Sequence, residues 1–271
     1  MNIPSGSPTI SLIISTYNRP QALYHVLQSV RVQKEMPHEV IVADDGSGDE
    51  TRQVIEQCQR DFPVPLIHAW QEDDGFRLAA NKNHAASKAS GNYLLFLDGD
   101  LVMHPNYIKD NRITATKGYF VVNTRVMLDE TFTKDVFKKK QFSISASQLF
   151  KQKNSKNGLH MPRLGKLIPT KQKLKPCRGG LMGIWKEDFV AVNGMNEDFV
   201  GWGFEDTDLF IRLFNYGLKR HNNKFRALTY HLYHPIENTD NAQNNKALAE
   251  KMKGNSSYFC TNGLDKYLPK Q

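Results

Sequence analysis

Three carboxylates fall within four residues in the stretch Gly201-Trp202-Gly203-Phe204-Glu205-Asp206-Thr207-Asp208. They follow a Gly-Trp-Gly turn and precede Leu209, Phe210 and Leu213, which recur at helical spacing with Gly217 placed to end the helix. Acids at a helix start are ordinarily caps, favoured by the helix dipole, but one cap needs one acid. Asp208 and Arg212 stand four apart and are expected to pair. The remaining acids suit proton-accepting chemistry, provided burial or nearby phosphate charge raises their basicity.

A second acidic group, Asp98-Gly99-Asp100, ends the apolar run Tyr93–Leu97. Two carboxylates flanking a glycine at a strand end can hold one divalent cation, and hard oxygen ligands favour Mg²⁺ or Mn²⁺. Asp-Gly-Asp is also a common turn; the preceding strand is what favours the metal. His231 and His234, three apart, could bring imidazole to the same ion, which Mn²⁺ accepts more readily than Mg²⁺. Spacing alone favours ordinary surface or hydrogen-bonded histidines there. Together the groups suggest a metal site plus a general base, and hence an enzyme.

The elements that must position these residues alternate. Apolar runs at Ile10–Ser15, Glu39–Ala43, Pro65–Trp70 and Tyr93–Leu97 read as strands. Helical patterns run over Gln21–Gln33, Thr51–Arg60 and Leu78–Ser90, with Pro20 suited to a first helical turn. This order predicts an α/β fold with a parallel sheet and right-handed crossovers. Ligands of such sheets sit beyond the carboxyl ends of the strands, so the polar loops at Thr16, Asp44 and Asp98 should converge on one cleft. No Gly-x-Gly-x-x-Gly or Walker A sequence follows a strand, which excludes those phosphate-binding devices. Farther on, Phe120–Met127 reads as one more strand, residues 130–176 as a flexible excursion with a short helix at Ser145–Lys151, and Gly179–Trp185 as a glycine-bearing strand approached by a ligand or a second backbone. Lys186 starts a short helix ending near Gly194. A polar helix over Ala242–Lys253 opens a tail with little to pack beyond Tyr258, Phe259 and Leu264.

The 271 residues, 39% apolar and 24% charged, are those of a globular chain. No apolar stretch reaches the roughly 20 residues of a spanning helix, and Met1–Thr9 does not read as a signal peptide. Cys58, Cys177 and Cys260 are too scattered for a disulfide framework or a zinc motif, which fits a reducing cytoplasm. The whole chain carries +8, but Lys134–Arg178 holds eleven Lys and two Arg against the single acid Asp135, an excess of +12. That segment is either a solvated insertion or a surface for anionic lipid, nucleic acid or an acidic acceptor.

Six motifs carry a family likeness: Ser15-Thr-Tyr-Asn-Arg-Pro20, Val42-Ala-Asp-Asp-Gly-Ser47, Gly75-Phe-Arg-Leu-Ala-Ala-Asn81, Phe96-Leu-Asp-Gly-Asp100, Gly201–Asp208 and the His231–His234 segment. In this order, over roughly residues 8 to 240, the chain resembles the inverting family 2 glycosyltransferases of GT-A fold. Its later part is similar to the β-1,4-galactosyltransferases and the bacterial chondroitin-type polymerases. The resemblance implies one GT-A domain over 1–240, with a nucleotide-binding half (1–105), an acceptor half (106–240, basic insertion 130–178) and a helical tail (241–271). It implies that Thr16, Tyr17, Asn18 and Arg19, with Asp44 and Asp45, hold the uridine of a UDP-sugar donor. Phe76, Arg77 and Asn81 would line the nucleotide and diphosphate. Asp98 and Asp100, around Gly99, would reach the ribose and a Mn²⁺ or Mg²⁺ ion. His234 would complete the metal shell, and His231 falls where the animal galactosyltransferases have a methionine ligand. Trp202, with Gly203 and Phe204, would carry sugar. Asp206 would be the base, with Glu205 and Asp208 positioning acceptor or donor. The galactosyltransferase run has Gly where this chain has Phe204 and an acid where it has Thr207, so the transferred sugar (Gal, Glc or an N-acetylhexosamine) stays open.

The expected acceptor is a hydroxyl of a bacterial surface glycan or a lipid-linked glycan. The expected setting is the cytoplasm, in peripheral contact with an anionic inner membrane, with no nucleic-acid partner. Two alternatives are a catalytically inactive sugar-nucleotide-binding scaffold, against which the intact acids and His234 argue, and a nucleotidyltransferase. The latter would want a glycine- and lysine-rich loop after the first strand, and Ser15–Pro20 is not one.

Overall fold

The computed structural model describes residues 7–165, 167, 172–174, 178–235 and 241–269. Cys177, the first six residues, parts of the basic segment, residues 236–240 and the last two residues lie outside them. The first half alternates strictly: β1 (Ile10–Thr16), α1 (Pro20–Arg31), β2 (Glu39–Asp44), α2 (Asp49–Gln59), β3 (Leu66–Trp70), α3 (Leu78–Lys88) and β4 (Tyr93–Asp98). Then come β5 (Leu101–Met103), α4 (Tyr107–Thr114), β6 (Tyr119–Val122), β7 (Thr124–Met127), α5 (Glu130–Lys139) and α6 (Pro162–Gly165). The chain continues through β8 (Leu181–Trp185), α7 (Lys186–Ala191), α8 (Glu205–Asn215), β9 (Lys219–Asn222), β10 (Leu228–His231) and α9 (Ala242–Lys253).

A seven-stranded sheet has the order β3-β2-β1-β4-β8-β6-β9, and a three-stranded sheet the order β5-β10-β7. β3, β2, β1 and β4 run parallel, as the alternation predicts, and β8 is antiparallel to both its neighbours. The register sets Thr16 opposite Asp44 and Ser15 opposite Asp98, so the three polar strand ends meet along one edge.

Both faces of the large sheet are covered, which is why β1 is buried along its whole length. Ile10, Leu12 and Ile14 pack with Leu23, Val26, Leu27 and Val30 of α1 on one face. Ile13, Ile41 and Phe96 pack on the other, with the alanines of α3 and with Leu209, Phe210 and Leu213 of α8. The small residues of α3 let that helix lie close to the sheet.

Four expectations need correction. Phe120–Met127 is two strands in different sheets, parted at Asn123. The Asn123 amide is fully buried and donates to Tyr107 Oη and Asn111 Oδ1, both at 3.0 Å, which satisfies the chain where it changes sheet. Within residues 130–176, α5 is an ordered helix, N-capped by Asp129, whose carboxylate accepts from the Phe132 amide, and anchored by buried Val136. In the tail, Leu264 joins the core and Cys260 is buried, whereas Tyr258 and Phe259 stand about half exposed. The short helix expected at Ser145–Lys151 is a 3₁₀ turn, Ala146–Leu149. Among the described residues no helix is long and apolar enough to cross a membrane.

Candidate active site

Asp98 and Asp100 lie at the same strand end but face different partners. Gly99 lets the chain turn tightly: its amide donates to the Ser15 carbonyl, and a Cβ there would sit 2.6 Å from that oxygen. Asp100 is carried toward the small sheet, where its carbonyl accepts from the Leu232 amide. Its Oδ2 lies 3.0 Å from His234 Nε2, 3.5 Å from His231 Nε2 and 4.0 Å from the Arg19 guanidinium.

Ligand atoms of Asp100, His231 and His234 all fall within 4.8 Å of one another. Among the described residues, Asp100 Oδ1 and His231 Nδ1 are buried with no hydrogen-bond partner. An oxygen and two imidazoles in this arrangement fit a divalent cation of the Mn²⁺ type. Burial raises the Asp100 carboxyl, but the hydrogen bond from His234 and the neighbouring positive charge outweigh it and hold the group below its ordinary range. Burial lowers His231 and its bond to Asp100 raises His234.

Asp98 stands outside this trio. Its Oδ1 accepts from Ser15 Oγ at 3.2 Å and lies 3.8 Å from the buried Lys82 ammonium. It lines a cavity of about 410 Å³ together with Phe76, Lys82, Trp202, Phe204, Glu205 and Asp206.

The opening acidic stretch forms the far wall of that cavity. Gly201, Gly203 and Phe204 all have left-handed φ, of +80°, +91° and +72°, and this sharp turn starts α8. Glycine adopts such angles freely; a phenylalanine there is strained. Trp202 is 49% exposed and available to stack on a ligand. The Asp206 carboxylate accepts from the Gly179 amide at 3.2 Å and the Thr207 hydroxyl at 3.3 Å. Glu205 is more than nine-tenths buried, and its Oε2 has no partner among the described residues. Burial and the Asp206 charge push its carboxyl up to about 7, against the pull of Lys82.

Asp208 does not reach the cavity. It is fully buried and paired with Arg212 at 2.8 Å, as the four-residue spacing predicts, so the structure gives it a role in the core rather than at a ligand.

The nucleotide-side residues also divide. Tyr17 is exposed and donates to Asp73 at 3.0 Å. Asn18 Oδ1 accepts from the Gly48 amide, and Thr16 Oγ1 is buried without a partner. Asp45 accepts from the Arg77 amide and the Gln71 side chain, and burial raises it to about 6. Asp44 is fully buried, accepts from the Ser47 amide and lies 2.8 Å from His68. Asn81 is also fully buried and donates to the Ala43 carbonyl, leaving Oδ1 unpaired. These two shape the loop ends rather than face the cleft. Phe76 is exposed, and its carbonyl accepts from the Gly201 amide, tying the nucleotide side to the acidic turn.

Sequence reasoning passed over Lys82 and Arg125 and counted Arg178 only as one charge of the basic segment, yet all three line the cavity. Lys82 sits in an alanine-rich helix with no local signal of function. A larger hollow, about 650 Å³, opens between Trp70, Asp73, Arg77, His84 and Tyr267, but it contains none of the cleft acids Asp98, Glu205 and Asp206.

The parallel half-sheet, the strand-end acids and the cavity closed by α8 define a GT-A glycosyltransferase fold. Residues 11–169 match the profile described as glycosyl transferase family 2, and residues 163–235 match the one described as the N-terminal domain of galactosyltransferase. The chain belongs to glycosyl transferase family 2. It is 29% identical to the validoxylamine A glucosyltransferase of Streptomyces hygroscopicus subsp. limoneus over 79% of this chain and 49% of that protein. It is 25% identical to the chondroitin synthase of Escherichia coli over 92% of this chain and 39% of that protein. Thus it spans half or less of the length of these two relatives. The crystal structure of GalNAc-T7 with UDP, GalNAc and Mn²⁺ superposes with a TM-score of 0.59 at 19% identity, covering 84% of this chain and 44% of that one.

Proposed function

We propose that the chain transfers a sugar from a UDP-sugar to an acceptor hydroxyl with inversion at the anomeric carbon. The observation that carries this reading is the cavity lined by both Asp206 and Asp98 and bordered by Trp202, with Asp100 of the Asp100–His231–His234 trio two residues on from Asp98. The acceptor oxygen bonds to the anomeric carbon while the bond from that carbon to the phosphate oxygen breaks, and its electron pair leaves with UDP. Asp206 takes the hydroxyl proton. Its two hydrogen bonds, from Gly179 and Thr207, hold the carboxylate in one orientation toward the cavity. A divalent ion held by Asp100, His231 and His234 would neutralise the leaving diphosphate.

Of the solved fold relatives, one carries UDP with Mn²⁺ and another GDP-mannose with Mn²⁺, so UDP as the donor nucleotide rests on the resemblance of the motifs and is decided by the donor screen. Phe204, strained and on the cavity wall, and Thr207 beside the base are the positions to vary for sugar preference. For the acceptor we infer a surface or lipid-linked glycan reached from the cytoplasmic side, with the lysines that follow Lys134 against anionic lipid and Arg178, at the end of that basic segment, in the cavity.

The deciding experiment measures Mn²⁺-dependent hydrolysis of UDP-Gal, UDP-Glc, UDP-GlcNAc, UDP-GalNAc and UDP-GlcA. One donor should be turned over selectively, and Asp206→Asn should bind UDP yet lose transfer. Wild-type turnover in Asp206→Asn would overturn the assignment of the base.

A further inference from the structure

Two arginines of the catalytic cavity have no part in the mechanism above. Arg125 is on β7 and Arg178 precedes the Gly179-Gly180 pair, and both line the space bordered by Trp202, Phe204 and Asp206. Both are half-buried. Among the described residues neither has an ion pair or a side-chain hydrogen bond. Burial and the Arg125 charge lower Arg178 below its ordinary value, so each guanidinium adds to the electrostatic cost of the other. Two partly desolvated like charges without a carboxylate between them are unfavourable unless an anion completes the site.

The acids of the cavity do not serve as that anion, because they have other partners. Asp98 is held by Ser15 and Lys82, Asp206 by the Gly179 amide and Thr207, and Glu205 feels Lys82. On the reading above, the donor diphosphate would have its own cationic site, a metal ion at the Asp100–His231–His234 trio with Arg19 alongside. None of those four residues lines this cavity, whereas the sugar platform Trp202 and the base do.

We propose that Arg125 and Arg178 form an anion subsite for the acceptor, and that the sugar offering the hydroxyl carries a carboxylate or a phosphate. This rests on the glycosyltransfer reading of the cavity and names its acceptor class. Guanidinium groups bind both anions through paired N–H donors, so the chemistry is shared and the source is settled by measurement.

The test titrates the full chain, loaded with Mn²⁺ and UDP, with three probes: a methyl hexuronide, a hexose 6-phosphate and a neutral methyl hexoside. At least one charged probe should bind ten-fold or more tightly than the neutral one, and which of the two does so identifies the source. Arg125→Gln and Arg178→Gln should each remove that preference while UDP affinity stays within two-fold. Because the two residues sit on different segments, a folding defect in one variant leaves the other to decide. Equal binding of all three probes overturns the proposal. So does a fall in UDP affinity in the variants, which would assign the arginines to the donor. If no UDP-sugar is hydrolysed but the charged-sugar preference persists and depends on both arginines, the transferase reading fails and the subsite stands.

Discussion

The Asp98 carboxylate fills the space that a side chain on Gly180 would need. An ideal Cβ at Gly180 would lie 1.9 Å from Asp98 Oδ1 and 2.0 Å from Oδ2. The two residues are also joined along the backbone, where the Asp98 amide donates to the Gly180 carbonyl at 3.1 Å. The glycine is thus required by a neighbouring carboxylate, rather than by the ligand or second backbone that the sequence suggests.

Gly180→Ala should therefore push Asp98 off Ser15 and Lys82. We expect turnover to fall about a hundred-fold, since misplacement by an ångström near the reacting groups has that order of effect. Stability should fall by about 1–3 kcal/mol. Kinetics and a thermal melt on the same sample separate the two, and wild-type turnover would contradict the placement of Asp98.

Asp206 and Asp208 are two residues apart and should behave oppositely. Asp206→Asn should keep a near wild-type melting temperature and lose roughly 10²–10⁴-fold in kcat, the range for a general base. Asp208→Asn leaves the fully buried Arg212 without its counter-charge, at a cost of about 3–5 kcal/mol. That should lower the melting temperature by roughly 10 °C. Calorimetry of both variants checks the contrast.

The two carboxylates around Gly99 should also separate. Asp100→Asn and His234→Ala should weaken Mn²⁺ binding, and with it UDP binding, by at least about ten-fold. Asp98→Asn should leave Mn²⁺ affinity within a few-fold and act instead on turnover. Titration of Mn²⁺ into each variant is the measurement, and equal losses for Asp98 and Asp100 would place both at the ion.

Glu205 predicts a pH dependence of stability. Its folded value of about 7 is raised above the ordinary 4.5, so between these values the folded protein keeps a proton that the unfolded chain has released. The contribution is present in full below pH 4.5 and is lost as pH rises through 7. The loss amounts to roughly 3–4 kcal/mol at about 1.4 kcal/mol per unit. Glu205→Gln should flatten this slope and melt higher than the wild type above pH 7, as thermal melts between pH 4.5 and 8 would show.

Much of this molecule is written locally. The apolar runs of β1, β2 and β4 and the helical periods between them specify a parallel half-sheet, because period and chain direction are properties of neighbouring residues. That layout by itself places Thr16, Asp44 and Asp98 at one edge, and the Asp208–Arg212 pair follows from helical spacing alone. The break at Asn123 is hard to see in the run Phe120–Met127, since both pieces are rich in strand-forming residues and the tertiary hydrogen bonds to Tyr107 and Asn111 part them. The amphipathic α5 was masked by the lysines around it.

Tertiary structure also decided the division of labour. Asp44, Asn81 and Asp208 have the residue types of a binding site yet are sealed inside, whereas Lys82 and Arg125, unremarked in sequence, and Arg178, legible only as one charge of the basic segment, line the cavity. Asp98 and Asp100 look equivalent around one glycine, but only Asp100 meets the histidines. The physical reason is that burial and charge pairing depend on segments more than a hundred residues away. β10 and α8 close over the strand ends from the far half of the chain, and no local pattern records which carboxylate each will face.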